Sequence, residues 1–216
     1  AMSKALPFRV LEDSRQLASF MGWGEEVYDD LSDIRAGRLT EAEFRDKYGY
    51  RRAILSLDMT DFTLRTMLDG EMQSFLRILD AQKVCAPVLQ EFNAELIRFF
   101  ADDIVALFED PSGALDAAFE IHRRIEVFNE SGLAADNAAE CGIGIGFGDV
   151  LAIGPKLSQG REMIQASKLG EDIARANEVL VTESAFEALE HRSDVSFEEQ
   201  KYDDQLFPFY RAIRQG

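Results

Sequence analysis

Apolar positions along this chain follow two periods, and the places where the period changes divide it into elements. Ala53-Ile54-Leu55-Ser56-Leu57 is a short apolar run that stops abruptly at Asp58-Met59-Thr60-Asp61, the pattern of a buried strand ending at charge. Residues 62–90 carry apolar side chains at helical spacing (Leu64, Met67, Leu68, then Met72, Phe75, Leu76, Leu79), with Gly70 and Pro87 as breaks, and read as two helices. Residues 96–108 have no helical spacing: two β-prone runs flank Ala101-Asp102-Asp103, which predicts a hairpin with an acidic tip. Asp110-Pro111 opens a helix through Ala118, Ile121, Ile125 and Phe128 that stops near Gly132.

Residues 141–150 alternate glycine with apolar residues. The run does not open a helix after a strand, so a dinucleotide-binding loop is a poor description, and a central strand closely approached by another backbone is the better one. A helix over 162–176 follows, then a strand over 178–181, a helix over 183–190 capped by Thr182, and a strand pair over 195–201 and 209–213. Residues 1–49 differ in texture: Asp13 or Ser14 opens a helix reaching residues 28–31, Gly37 punctuates, and Thr40 with Glu43 forms the capping box of a short second helix. This helical leader, 1–49, covers an apolar face of the following domain or passes a signal into it. From residue 50 to 216 the order β-α-α-β-β-α-β-α-β-α-β-β predicts an α+β domain, helices packed on a mostly antiparallel sheet.

Composition narrows the partners. Forty acidic against 23 basic residues give a formal charge of −17, which argues against nucleic acid and against anionic membranes, since both need clustered Lys and Arg. Cys85 and Cys141 lack CxxC spacing and lie among apolar residues, so they read as free thiols of a reducing compartment. With no apolar run of membrane-span length and no visible signal peptide, the expectation is a cytoplasmic protein. His122 and His191 stand near no Ser, Cys or second ligand and are expected to pack or to face solvent.

The acidic breaks are where chemistry is expected. Two carboxylates at a tight turn repel each other, and a divalent cation resolves the conflict. If the strand ending at Asp58 neighbours the hairpin, Asp58 and Asp102 meet at one end of the sheet, and such hard oxygen ligands suit Mg²⁺ or Mn²⁺ holding nucleotide phosphates. Asp at a strand end is also an ordinary cap or turn residue. Asp61 and Asp103 read as supporting or solvated carboxylates.

Four blocks of residues 50–215 resemble the class III nucleotidyl cyclases. Leu57-Asp58-Met59-Thr60-Asp61-Phe62-Thr63 is similar to the family's Asp-Ile-x-Gly-Phe-Thr, and Arg98-Phe99-Phe100-Ala101-Asp102-Asp103-Ile104-Val105-Ala106-Leu107-Phe108 to its Lys-x-x-Gly-Asp-x-x-Met-Ala-x-Phe. Ile143-Gly144-Ile145-Gly146-Phe147-Gly148-Asp149-Val150 resembles Ile-Gly-Ile-His-x-Gly-x-Val. Residues 178–189 resemble the closing Gly-Glu-Ile-Leu-Val-Ser-Glu-x-x-Tyr-x-x-Leu.

The resemblance implies a ferredoxin-like βαββαβ core, and conversion of ATP or GTP to the 3′,5′-cyclic nucleotide and pyrophosphate by two metal ions on Asp58 and Asp102. It also implies a homodimer whose sites lie between chains, with Phe62 and Thr63 among the substrate contacts. The glycine-rich strand and the apolar helices beside it are expected to suit that interface.

The departures from the family lie at its substrate and transition-state positions. Arg98 stands for the base-specifying Lys, Leu157 for the second base-reading residue, Ile164 for the ribose-orienting Asn and Lys168 for the Arg that steadies the transition-state phosphate. A local shift would bring in Arg161 or Lys156 instead. Ala101 and Asp61 stand at glycine positions. The resemblance therefore implies either a cyclase of low or atypical activity, or a cyclase-like module that binds nucleotide or a partner without turnover. Failure to bind Mn²⁺-ATP would leave an unrelated α+β interaction domain.

Overall fold

A computed structural model describes residues 6–134, 139–154 and 157–216, and Lys156 lies outside them. The chain divides into two compact units, residues 1–50 with 151–159 and residues 51–150 with 160–216.

The smaller unit contains α1 (Ser14–Met21), α2 (Glu25–Arg35) and α3 (Glu41–Tyr48). The single helix expected from residue 13 onward is two: Gly22 adopts φ 78°, a left-handed conformation open to glycine, and ends the first. The Asp13 carboxylate caps α1 by accepting from the Gln16 N–H at 2.8 Å, and the Thr40–Glu43 capping box is formed. This unit recruits a distant segment. The end of β4 (Cys141–Gly154) pairs with β5 (Leu157–Gln159), and Ile153 joins Val27 and Phe44 in a small core. Lys47 sits between Glu26 (2.6 Å) and Asp30 (2.7 Å) and ties α3 to α2.

In the larger unit, β1 (Gly49–Met59), β2 (Leu96–Phe100), β3 (Asp103–Phe108), β4, β6 (Val179–Thr182), β7 (Val195–Glu199) and β8 (Phe209–Arg214) lie side by side in the order β2-β3-β1-β4-β6-β8-β7. The spatial order β4-β1-β3-β2 is that of a ferredoxin-like βαββαβ unit. β4 and β6 run parallel, while β1–β3, β2–β3, β6–β8 and β7–β8 are antiparallel. The helices are α4 (Phe62–Asp69), α5 (Glu71–Glu91), α6 (Pro111–Glu130), α7 (Arg161–Lys168) and α8 (Glu183–Leu189), with a π-helical turn at Leu169–Ile173.

Leu55, Leu57, Ala106 and Phe108 of the sheet pack on Cys85, Val88 and Leu89 of α5 and on Ala114, Leu115 and Ile121 of α6. Pro87, expected to break the helix, lies inside α5, because the fully buried Val88 and Leu89 hold its last turn on the core. His122 is a packing residue. Burial pushes it down to about 4, and Nε2–H donates to the Cys141 carbonyl at 3.1 Å. Burial likewise raises Cys85 to about 12, so it stays a thiol.

The glycines of β4 form a track for α7. A Cβ on Gly144 would lie 2.1 Å from the Ala166 carbonyl oxygen, and one on Gly146 would lie 2.7 Å from that of Glu162. The Glu162 carboxylate completes the seat, accepting from the Phe147 N–H (3.1 Å) and from the Thr182 hydroxyl (2.6 Å). The glycine stripe expected to suit an interface between chains is thus covered by the chain's own helix.

α4 and α5 are arranged the other way about. Their shared seam is polar, with Thr66 Oγ1 and Ser74 Oγ 2.6 Å apart and Asp69 paired to Arg77, which is only 2% exposed. Leu64, Met67, Leu68, Met72 and Phe75 of the same two helices are exposed, Met67 to 81%.

Gly144→Ala will test the track. Backbone cannot yield by an ångström, so the substitution is expected to cost about 3 kcal/mol or more, the scale of severe overpacking. Gly113→Ala, whose Cβ would meet nothing nearer than 3.8 Å within helix α6, should be neutral or stabilising by up to about 1 kcal/mol. Urea denaturation of both variants checks the contrast.

Candidate metal and nucleotide site

β1 and β3 are in antiparallel register from Ala53 opposite Phe108 to Asp58 opposite Asp103. The register places Asp58 at the end of the strand beside the β2–β3 turn. Asp58, Asp102 and Asp103 each present a carboxylate oxygen within 4.8 Å of the others. Asp103, read from the sequence as supporting or solvated, stands in this group because its backbone pairs directly with Asp58. That cross-strand pairing needs a register the sequence does not display.

Two residues beside the cluster hold left-handed conformations, Ala101 at φ 53° and Asp61 at φ 55°. They occupy the two positions at which the resemblance implies glycine. Alanine has no side-chain group to compensate there and bears on the order of 1 kcal/mol of strain, which the tip of the hairpin retains.

Three carboxylates so close cannot all ionise easily. Removal from water, a hydrogen bond shared with Asp103 and the charges of Asp103, Asp102 and Glu171 raise the Asp58 carboxyl to about 8. Asp102 is also raised, chiefly by burial. Glu171, on the π-helical turn, is raised by burial and by the charges of Asp103, Asp172 and Asp102, so it faces the same acidic ground. Nothing in the sequence marks it out, because a pattern of regular helical pitch gives no sign of a π turn. That turn is wedged against β1: a Cβ on Gly170 would stand 2.4 Å from the Ser56 carbonyl oxygen, two residues before Asp58.

The other residues singled out in the sequence are more dispersed. Phe62 and Thr63 form the first turn of α4, directly after Asp61. Arg98 is exposed on β2, opposite Val105. Ile164 is 65% exposed on α7. Lys168 closes that helix and holds Asp172 at 2.6 Å one turn later. Arg161 begins α7 and is exposed. Leu157 belongs to the smaller unit, where its backbone pairs with Gly154.

No family model matches the chain, and no curated protein matches it in sequence. Solved structures do match. The adenylyl cyclase CyaB from P. aeruginosa superposes with a TM-score of 0.65 at 15% identity, over 78% of this chain and 97% of that one. The guanylate cyclase domain of RhGC from Catenaria anguillulae, in complex with GTP, gives 0.65 at 13% over 78% and 99%. An adenylate/guanylate cyclase/hydrolase from Silicibacter pomeroyi gives 0.62 at 19% over 78% and 98%. The chain has the fold of a class III nucleotidyl cyclase catalytic domain.

The raised Asp58 carboxyl has a consequence in solution. An unfolded aspartate ionises near pH 4, so between pH 4 and about 8 the unfolded chain gives up a proton that the fold retains. This residue's contribution to stability then falls as pH rises through that window and levels off above it. Asp58→Asn should flatten the slope of thermal stability against pH. Mn²⁺ should stabilise the wild type more at pH 8 than at pH 5, and calorimetry across that range reads both.

Proposed function

We propose that this chain is a class III nucleotidyl cyclase-like domain that binds ATP or GTP with Mg²⁺ or Mn²⁺ and, as a homodimer, converts it slowly to the 3′,5′-cyclic nucleotide and pyrophosphate. The observation that carries the proposal is the convergence of Asp58, Asp102 and Asp103 at one strand end of a cyclase fold. Oxygen donors alone, held at short range by half-buried residues, fit a hard divalent cation. When bound, such ions supply neutralisation of the triphosphate and Lewis acidity at the ribose 3′-hydroxyl.

The chain's own groups would do the rest. Asp58 and Asp102 hold the cations, and Asp103 adds a third carboxylate. Phe62 and Thr63 offer the free N–H groups of the α4 N-terminus to phosphate oxygens. Arg98 meets the base. In the reaction the 3′-oxygen attacks the α-phosphorus in line, its proton passes to solvent, and the bond to pyrophosphate breaks. Ile164 and Lys168 stand on a separate helix, and in a two-chain site they reach the nucleotide held by the partner. The exposed apolar side chains Leu64, Met67, Leu68, Met72 and Phe75 of α4 and α5 support self-association, because covering them removes apolar surface from water.

Ile164 and the Asp172-bound Lys168 favour low turnover. An Ile side chain cannot hydrogen-bond the ribose, and a lysine point charge grips phosphate less firmly than a guanidinium fork, so nucleotide binding should outlast catalysis. In the limit, the domain is a nucleotide-binding or dimerising regulatory module. Its place in a cell would be the cytoplasm, where nucleoside triphosphates are plentiful.

Pyrophosphate release from ATP and GTP with Mn²⁺, at high protein concentration, is expected to run well below the roughly 10 s⁻¹ of an ordinary enzyme. Ile164→Asn combined with Lys168→Arg should raise it by about tenfold or more, and Asp58→Ala in that background should abolish the gain. No Mn²⁺-nucleotide binding by the wild type would overturn the proposal.

Sedimentation should show a dimer at high micromolar concentration that Met67→Glu with Leu68→Glu reduces to monomer. Both side chains are exposed, so the fold should survive. An unchanged sedimentation coefficient would remove this face from the interface.

A further inference from the structure

α4 carries Phe62 and Thr63 in its first turn, yet none of its eight residues is buried. Its ends are not fixed by regular elements either. Asp61 before it holds φ 55° and makes no side-chain cap, and Gly70 after it holds φ 89°. The seam with α5 therefore orients this short helix. Phe62 supplies an apolar contact there, packing with Ile78 on the small core of Met59, Ala81 and Ala139, and two polar links supply the rest.

The first link reaches the first turn. The Thr66 hydroxyl donates to the Phe62 carbonyl at 2.8 Å, which leaves its oxygen to accept from the Ser74 hydroxyl at 2.6 Å. The second link reaches the last turn, where Arg77 Nη2 donates to the Asp69 carboxylate. Ser74 and Arg77 lie one turn apart on α5, and each is only 2% exposed. Two buried side chains thus grip α4 towards both of its ends.

Stability does not account for Arg77. Its Nε and Nη1 are closed off from solvent and have no hydrogen-bond partner. Buried guanidinium N–H groups without acceptors cost stability, and an apolar side chain of similar length, one turn before Ala81 on the same helix, would carry no such cost. What the arginine provides is direction. A charged hydrogen bond fixes the angle of its partner, whereas an apolar contact lets a short helix slide or turn.

We propose that Arg77, together with Ser74, is a positioning residue for the triphosphate. Acting through Asp69 and Thr66, the pair holds α4 at the angle that points the Phe62 and Thr63 N–H groups at phosphate oxygens beside the carboxylate cluster. Neither residue touches nucleotide or metal. The proposal rests on the nucleotide-binding reading above, and its test separates the two.

Arg77→Met, Arg77→Lys and Ser74→Ala, each in the intact protein, are titrated by calorimetry with Mn²⁺ alone and with Mn²⁺ plus ATP or GTP. Arg77→Met should leave the affinity for Mn²⁺ alone unchanged, because Asp58, Asp102 and Asp103 stand on β1 and the β2–β3 hairpin. It should weaken the nucleotide about 10-fold. Arg77→Lys keeps a charged donor for Asp69 and should recover a large part of that loss, and Ser74→Ala should cost about 3-fold. The melting temperature of Arg77→Met should equal or exceed that of the wild type. Hydrogen exchange without nucleotide gives a second readout: amides of residues 62–69 should exchange roughly 10-fold faster in Arg77→Met, with β1 and β3 unchanged.

Wild-type nucleotide affinity in Arg77→Met would overturn the proposal. So would a parallel loss of Mn²⁺ binding and of thermal stability, which would mark Arg77 as a support of the whole fold. Absence of Mn²⁺-nucleotide binding in the wild type is the separate failure of the cyclase reading and takes the phosphate role with it, while the exchange contrast still decides whether Arg77 clamps α4.

Discussion

The closest constraint in this molecule is backbone against backbone. α7 and the π-helical turn after it press onto β4 at Gly144 and Gly146 and onto β1 at Ser56, at distances where even a methyl group finds no room. Such a contact has no slack, so it fixes the height and the register of the helix on the sheet. Glu162 then locks rotation by bonding β4 and β6 together. The positions of Ile164, Lys168 and Glu171 follow from this seat and owe nothing to their own side chains.

The carboxylate cluster depends on the same seat from the other side. Gly170 abuts the strand that delivers Asp58, and Glu171 next to it adds a fourth negative group to the surroundings of Asp58, Asp102 and Asp103. The hairpin adds strain at Ala101. Desolvation, like-charge proximity and a left-handed alanine all cost stability here, and among the described residues no arginine or lysine counters the charge on Asp58 or Asp102, while Lys168 acts only on Glu171. A bound cation would relieve the first two.

Much of this was legible in the sequence. The strand ending at Asp58, the acidic hairpin, the Pro111 helix start and the Thr40 and Thr182 caps are local patterns, and local patterns survive folding. The glycine alternation correctly implied a close backbone approach, but which backbone arrives is a tertiary fact, and α7 took the place expected for another chain. Asp103 read as supporting or solvated because its place beside Asp58 depends on the β1–β3 register, a tertiary pairing that no local pattern displays. The single leader helix failed at Gly22, and the residues that complete the leader's core, Leu151 and Ile153, lie a hundred positions downstream, where no local pattern reveals them.

The two halves of the proposed site carry different stability costs, and this bears on what the domain does. The seat of α7 is made by glycines, main-chain atoms and Glu162, so residues 164 and 168 face outward and can change without disturbing the fold. Asp58 is not free in that way. Its ionised form is disfavoured in the fold, and an amide of the same shape would remove the charge, so a purely structural strand end would be more stable with asparagine there at neutral pH. A carboxylate kept at a position where it weakens the empty fold is accounted for by something that binds the charge. An outward helix face with Ile164 and an Asp172-bound lysine makes no comparable demand. On the proposed reading, the cost of Asp58 to the empty fold therefore weighs on cation binding, whereas the α7 positions weigh little on the fold either way.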